Sequence, residues 1–193
     1  MLAVRRCARD DFPGIRGSLR GGPTIDSAMN RIASTLSLGL RNLVFTLVVP
    51  VSGAVLLPRW VLSRFDSSAD PTAWPAVAVI ALGVALYLWC LWLFAAVGRG
   101  TPGPWDAPRR FVAVGPYRWV RNPIYIAALL VVLGEAGLFL SPPLMAYAAA
   151  MAVCCHLFVI SYEEPTLRHR FGDVYAEYLG KVHRWVPRPP GRG

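Results

Sequence analysis

The sequence predicts an all-α, integral membrane protein with about four transmembrane helices, a C-terminal helical hairpin and an amphipathic cytoplasmic helix. Three observations carry this expectation. The chain of 193 residues is 55% hydrophobic and only 16% charged, against roughly a quarter charged in an average soluble domain. Four apolar stretches approach the ~20 residues needed to cross a hydrocarbon core of about 30 Å. The 20 basic residues, of which Lys181 is the single lysine, gather in the short segments beside those stretches, the placement that orients a membrane protein.

Residues 1–35 are rich in Gly, Arg and Pro and show no sustained apolar period. They read as a disordered tail, or as a mis-annotated extension ahead of Met29, without the apolar core of a signal peptide. The region 36–98 reads as a pair of transmembrane helices. Its first span is expected from about Leu43 to Leu62, kinked at Pro50 and ended near Pro58. A polar loop from Arg64 to Pro71 leads to the second, Trp74 to Val97, which carries no charge. Trp74 marks one end of it and Trp89, Trp92 and Phe94 the other, as an aromatic belt does.

The region 99–193 opens with a turn-rich loop, GRGTPGPWDAP. A third span, about Ile124 to Leu140, and a fourth, about Leu144 to Tyr162, are separated by Ser141-Pro142-Pro143. They predict a transmembrane hairpin over 124–162. The Glu164-Pro165 step is expected to stop or bend the helix. Beyond it Leu167, Phe171, Val174, Tyr175 and Tyr178 recur at helical spacing with charges on the other faces. That pattern predicts an amphipathic helix whose tyrosines pack rather than react.

Arg59 and Arg64 follow the first span. Arg99, Arg109, Arg110, Arg118 and Arg121 follow the second, the hairpin turn has none, and six basic residues follow the fourth. The positive-inside rule then places both termini and both polar blocks in the cytoplasm. The preference for Arg over Lys suggests a GC-rich coding sequence and hence a bacterial cell membrane. A net charge of +9 raises nucleic acid as a partner, but charges set in short loops beside apolar spans favour the lipid bilayer and exclude nucleic acid. Cys90, Cys154 and Cys155 lie inside apolar stretches, with no C-x-x-C and no Cys/His ligand spacing, so neither a disulfide framework nor a metal site is expected. No Gly-rich phosphate loop, G-x-S-x-G or H-E-x-x-H is present.

The chemistry is concentrated in two polar blocks, Arg109 to Tyr125 and Glu163 to Pro187, which the hairpin should bring to one membrane face. Their residues Gly115, Tyr117, Arg121, Pro123 and Tyr125, then Glu163, Glu164, Leu167, Phe171, Gly172, Tyr175 and Tyr178, follow the pattern G-x-Y-x-x-x-R-[HN]-P-x-Y, hairpin, E-E-x-x-L-x-x-x-F-G-x-x-Y-x-x-Y. In this the chain resembles the isoprenylcysteine carboxyl methyltransferase family over roughly residues 109–187. Related phospholipid N-methyltransferases and small-thiol methyltransferases share much of the pattern. The resemblance implies methyl transfer from S-adenosyl-L-methionine to a lipophilic or small-molecule acceptor. It implies cofactor contacts from Arg109, Arg110, Phe111 and Val112, largely through backbone, and from Tyr117, Arg121, Asn122, Pro123, Ile124, Tyr125, Glu163 and Glu164. Two positions depart from the prenylcysteine enzymes: Asn122 stands where they carry His, and Val159 where they carry an Arg before the acid pair. The acceptor atom, whether sulfur, nitrogen or carboxylate oxygen, stays open, and so does the oligomeric state. A reductase of the sterol-reductase type using NADPH, and a non-catalytic membrane subunit, are the alternatives.

His156 and Glu135 are ionisable residues inside expected spans, a placement that is rare and often functional. His156 lies seven residues before Glu163, about 10 Å along one helix face. It is a candidate catalytic and substrate-binding residue, with a buried, hydrogen-bonded histidine as the plain alternative. Asn122 is the second catalytic candidate, by position in the motif. Glu135 is a candidate for binding a cationic headgroup from the opposite side.

Overall fold

The computed structural model describes residues 25–65, 69, 72–98 and 111–187, and within 25–35 it describes the side chain of Met29 alone. Residues 1–24 of the expected tail, and Arg109 and Arg110 of the expected site, lie outside the described residues. The helices are α1 (Ile25–Thr46), α2 (Leu57–Leu62), α3 (Trp74–Leu93), α4 (Pro123–Leu138), α5 (Pro142–Phe158) and α6 (Glu164–Lys181). Among the described residues there is no strand, only an isolated parallel bridge between Val120 and His183. The chain is an all-helical integral membrane protein.

Among the described residues, three helical stretches are long and apolar enough to cross a membrane: Leu36–Leu62, Trp74–Gly98 and the start of Pro142–Lys181. α4 is the fourth apolar helix, and its 16 residues rise roughly 24 Å. Large apolar side chains such as Leu47, Val48, Leu82, Leu88, Trp92, Val153 and Leu157 are exposed. Such a surface would drive association in water but costs nothing against lipid tails.

Several expected boundaries are corrected. α1 begins at Ile25, inside the stretch read as a tail, because Ile25, Met29, Ile32 and Leu36 already recur at helical spacing. Pro58 does not end the first span, and Pro50, where a kink is expected, falls inside a π-helix. The backbone passes into a π-helix over Leu47–Leu56, with the Leu57 N–H bonding to the Ser52 carbonyl, and this wider turn accommodates the prolines within a continuous helix. Pro165 does not stop the fourth span either. A π turn over Val159–Glu163 leads directly into α6, whose second residue is Pro165. The amphipathic helix is instead broken at Gly172, whose φ of 52° and ψ of −128° belong to a region closed to side-chain-bearing residues.

α4 is the centre of the bundle, packed chiefly along α3 and then against α5. Its contact with α3 is close because small residues face each other. A Cβ on Gly134 would lie 2.5 Å from Ile80 Cγ1 and 2.9 Å from the Ala76 carbonyl oxygen, and Gly83 meets the α4 backbone in the same way. Close backbone approach of this kind drives helix association where no hydrophobic effect operates. At its far end α4 closes with Ser141 N–H bonding to the Ala136 carbonyl and Leu140 N–H to that of Gly137. Leu140 there takes the left-handed φ of 43° usual for Gly in such a cap. The turn is therefore tight enough for α5 to run straight back along α4, returning the chain to the face it left.

Candidate functional site

The hairpin sets the first residues of α4 beside the last residues of α5, and the two polar blocks meet there. Tyr125, in the first turn of α4, donates its hydroxyl to Glu163 Oε2 at 2.8 Å. Arg121 Nη1 donates to Glu164 Oε1 at 3.0 Å. Tyr178 Oη donates to the Tyr117 carbonyl at 2.7 Å. Between these bonds lies a cleft of about 870 Å³, open mouth included, lined by residues of both blocks and by Phe94.

One wall of the cleft is aromatic. The Phe111 ring sits 5.5 Å from Phe171, 5.6 Å from Tyr175 and 4.9 Å from Tyr178, centroid to centroid. The Gly172 break lies between Phe171 and the two tyrosines, in the segment that presents all three rings to Phe111. Tyr117 is held edge-on by Phe94 at 5.7 Å and belongs to a buried cluster with Cys90, Leu93 and Val112. Burial pushes the Tyr178 hydroxyl up in pKa, so it remains a neutral donor.

The opposite wall carries the charges. Glu164 is gripped by two arginines: Arg184 bonds it in bidentate fashion, Nε to Oε1 and Nη2 to Oε2, each at 2.8 Å, and Arg121 adds the third bond. The hydrogen bonds from Arg184, aided by the charge of Arg121 and working against partial burial, hold the Glu164 carboxyl below the usual carboxylate range. Arg121 Nε, on a residue that lines the cleft, is buried without a partner among the described residues, whereas the Tyr117 hydroxyl is buried beside the Cys90 thiol. A buried donor such as Arg121 Nε calls for an explanation, commonly a missing ligand or water.

Of the residues expected from the sequence, Phe111, Val112, Tyr117, Arg121, Asn122, Tyr125, Glu163 and Glu164 line the cleft. Pro123 is buried at the start of α4 and Ile124 packs on the Cys90 cluster, so both support the cleft from behind. His156 and Glu135 do not line it. The π turn at Val159–Glu163 adds a residue to the helix between His156 and Glu163, rotating one relative to the other by roughly 100°. His156 Nδ1 instead accepts a hydrogen bond from Trp185 Nε1 at 3.0 Å, a different partner from the carbonyl expected for a structural histidine. Glu135 lies one turn from the far end of α4, within electrostatic reach of Arg59, and its Oε2 is buried without a partner among the described residues.

Sequence reasoning missed Phe94, Phe158, Tyr162 and Thr166 as lining residues, and Arg184 and Trp185 as partners of site residues. The helical stripe Leu167–Phe171–Tyr178 was a signal for one wall. No periodic signal marks residues 182–187, which follow the last helix.

The model of the phospholipid methyltransferase family matches residues 71–174. The match spans Glu163, Glu164, Tyr117, Tyr125 and the whole hairpin, and it covers more than half of the chain. No curated protein and no solved structure matches the chain.

Proposed function

We propose that this chain, which belongs to the phospholipid methyltransferase family, transfers a methyl group from S-adenosyl-L-methionine to an acceptor that partitions into the membrane. The observation that carries the proposal is the cleft in which Tyr125 orients the Glu163 carboxylate opposite a wall of aromatic rings. Its residues fit the cofactor. The rings of Phe111, Tyr117, Tyr175 and Tyr178 suit a sulfonium by cation–π attraction. The buried Arg121 Nε is a charged donor suited to a carboxylate. Glu163, fixed by Tyr125, suits ribose hydroxyls or an ammonium. The backbone of Phe111 and Val112 adds donors along the edge.

Bound there, S-adenosylmethionine supplies an electrophilic methyl group on a positively charged sulfur. The chain's own part is alignment and exclusion of water. The aromatic wall leaves little for bulk water to solvate, and the Glu164 clamp holds the starts of α4 and α6 in register. Such placement is the main source of rate in a displacement that needs no metal. Phe158 and Tyr162 line the cleft and are exposed on α5 and the π turn that follows it, so an acceptor can reach the site from the lipid. The nucleophile is a membrane-partitioning amine, thiol or carboxylate. The arginine-rich blocks support a cytoplasmic position for this face and both termini, and the bias toward Arg over Lys supports a bacterial cell membrane.

The test is transfer of label from methyl-labelled S-adenosylmethionine. The purified protein is reconstituted into vesicles of phosphatidylethanolamine, and in parallel with prenylcysteine and alkyl-thiol acceptors. We expect label in the organic phase with at least one acceptor class, and at least tenfold less with Glu163→Gln. Folded protein that labels none of the three contradicts the proposal.

A further inference from the structure

The segment after α6 passes back along the residues that precede α4 and touches α4, α5 and α6. His183 pairs with Val120 and its carbonyl accepts the Arg121 N–H at 2.9 Å. The Arg184 carbonyl accepts Asn122 Nδ2 at 3.3 Å while its guanidinium grips Glu164. The Trp185 indole then reaches the hairpin, with its ring 6.5 Å from Tyr125 and 6.1 Å from His156, centroid to centroid. It is fastened there by the Nε1–Nδ1 bond of 3.0 Å.

That bond determines the state of the histidine. An indole N–H only donates, so His156 Nδ1 must carry the lone pair and the ring is the neutral tautomer with its proton on Nε2. With the strap in place, both nitrogens of His156 are committed, one as an acceptor to Trp185 and one as an N–H. The one basic lone pair of the ring is then engaged by the indole and is not free to take a proton from an acceptor. Trp185 in turn packs on Tyr125, the residue whose hydroxyl orients Glu163.

We propose that residues 182–186 are a strap that completes the cofactor site, and that His156 is a positioning residue which locks Trp185 against Tyr125 rather than a general base. The effect on affinity rests on the cofactor reading above, whereas the lock itself does not. The strap braces the lining residues Arg121, Asn122, Tyr125 and Glu164 from outside the cleft, and Asn122, at the position of the motif histidine, is one of its anchors through the Arg184 carbonyl.

The test uses the full-length protein in detergent, with helicity checked by circular dichroism. The variants are His156→Leu, His156→Asn (whose Oδ1 can still accept the indole N–H) and Trp185→Ala. S-adenosylhomocysteine affinity is measured by calorimetry, and hydrogen exchange of the Trp185 indole N–H by NMR. We expect His156→Leu and Trp185→Ala to weaken binding about tenfold, and His156→Asn to stay within about threefold of the parent. The indole should be protected in the parent and in His156→Asn and unprotected in His156→Leu. Parent-like affinity in both His156→Leu and Trp185→Ala overturns the positioning role, and an unprotected indole in the parent overturns the lock. Failure of the parent to bind S-adenosylhomocysteine, with its indole protected and released by His156→Leu, overturns the cofactor reading and leaves the lock standing.

Discussion

Glu163 and Glu164 are adjacent in the chain and face different partners. Glu163 meets a tyrosine hydroxyl, and Glu164 meets two guanidinium groups. The sequence marks both as cleft residues, yet it does not separate them, because the arginine that holds Glu164 most firmly is twenty residues away in a segment with no pattern. Glu164 lines the cleft and is at the same time held by both arginines as a clamp across it. Charge-assisted bonds of this kind contribute about 1.5–3 kcal/mol when protected, and solvent screening at this partly exposed site reduces that. We therefore expect Glu164→Gln to destabilise the protein by about 1–2 kcal/mol in thermal unfolding. The pH dependence has a definite sign. The folded-state pKa of Glu164 lies below its ordinary value, so its contribution is fully present above the ordinary carboxylate range and is lost as pH falls through the folded pKa. Parent protein should keep its melting temperature from neutral pH to the carboxylate range and lose it below, while Glu164→Gln should show a shallower acid limb. His156 was legible as unusual from its place in an apolar span. Its partner was not, since nothing in the sequence announces that Trp185 returns to it.

Among elements, the helices were readable and their interruptions less so. Four apolar stretches give four apolar helices, because length and hydropathy are summed over many residues and tolerate local error. The π turns depend on how prolines are absorbed by neighbouring carbonyls, which a local rule for proline does not capture. The hairpin turn was legible from Ser141-Pro142-Pro143, but the cap just before it places a leucine where glycine is usual. Relieving the left-handed strain at Leu140 by Leu140→Gly should stabilise the protein by about 1 kcal/mol, read as a raised melting temperature. The α3–α4 contact offers a sharper test. Gly134→Ala drives a methyl group into the Ala76 backbone and Ile80, at a cost of about 1–3 kcal/mol. Gly137→Ala, whose nearest neighbour would be the Ala76 Cβ at an ordinary 3.5 Å, should be tolerated. Equal melting temperatures for the two variants would show that α3 and α4 are not in this close register.

For the whole molecule, the α4–α5 hairpin sets the cleft and the strap at one end of α4 and the α4–α5 turn at the other. The proposed topology has the cleft end on the cytoplasmic face, as the arginine distribution favours. In inside-out vesicles, cysteines introduced at Arg118 and Asp173, both exposed, should react with a membrane-impermeant maleimide. A cysteine at Leu140 should react only in right-side-out cells. The motif spacing made the meeting of the two polar blocks legible, because a hairpin of nearly equal arms returns the chain to its starting face whatever its details. The back wall and the strap were not legible, because they are made by packing across the bundle.

The measurement that reaches the central claim most directly is calorimetric titration of the detergent-purified protein with S-adenosylhomocysteine, beside the double variant Tyr125→Ala, Glu163→Ala. The cleft as described predicts saturable binding near one site per chain, with a dissociation constant on the order of micromolar, the ordinary scale for a small-molecule ligand at about −8 kcal/mol. The double variant should lose it by at least a factor of ten. Folded parent protein that gives no heat of binding, or a double variant that binds equally well, would contradict the assignment of this cleft to the methyl donor.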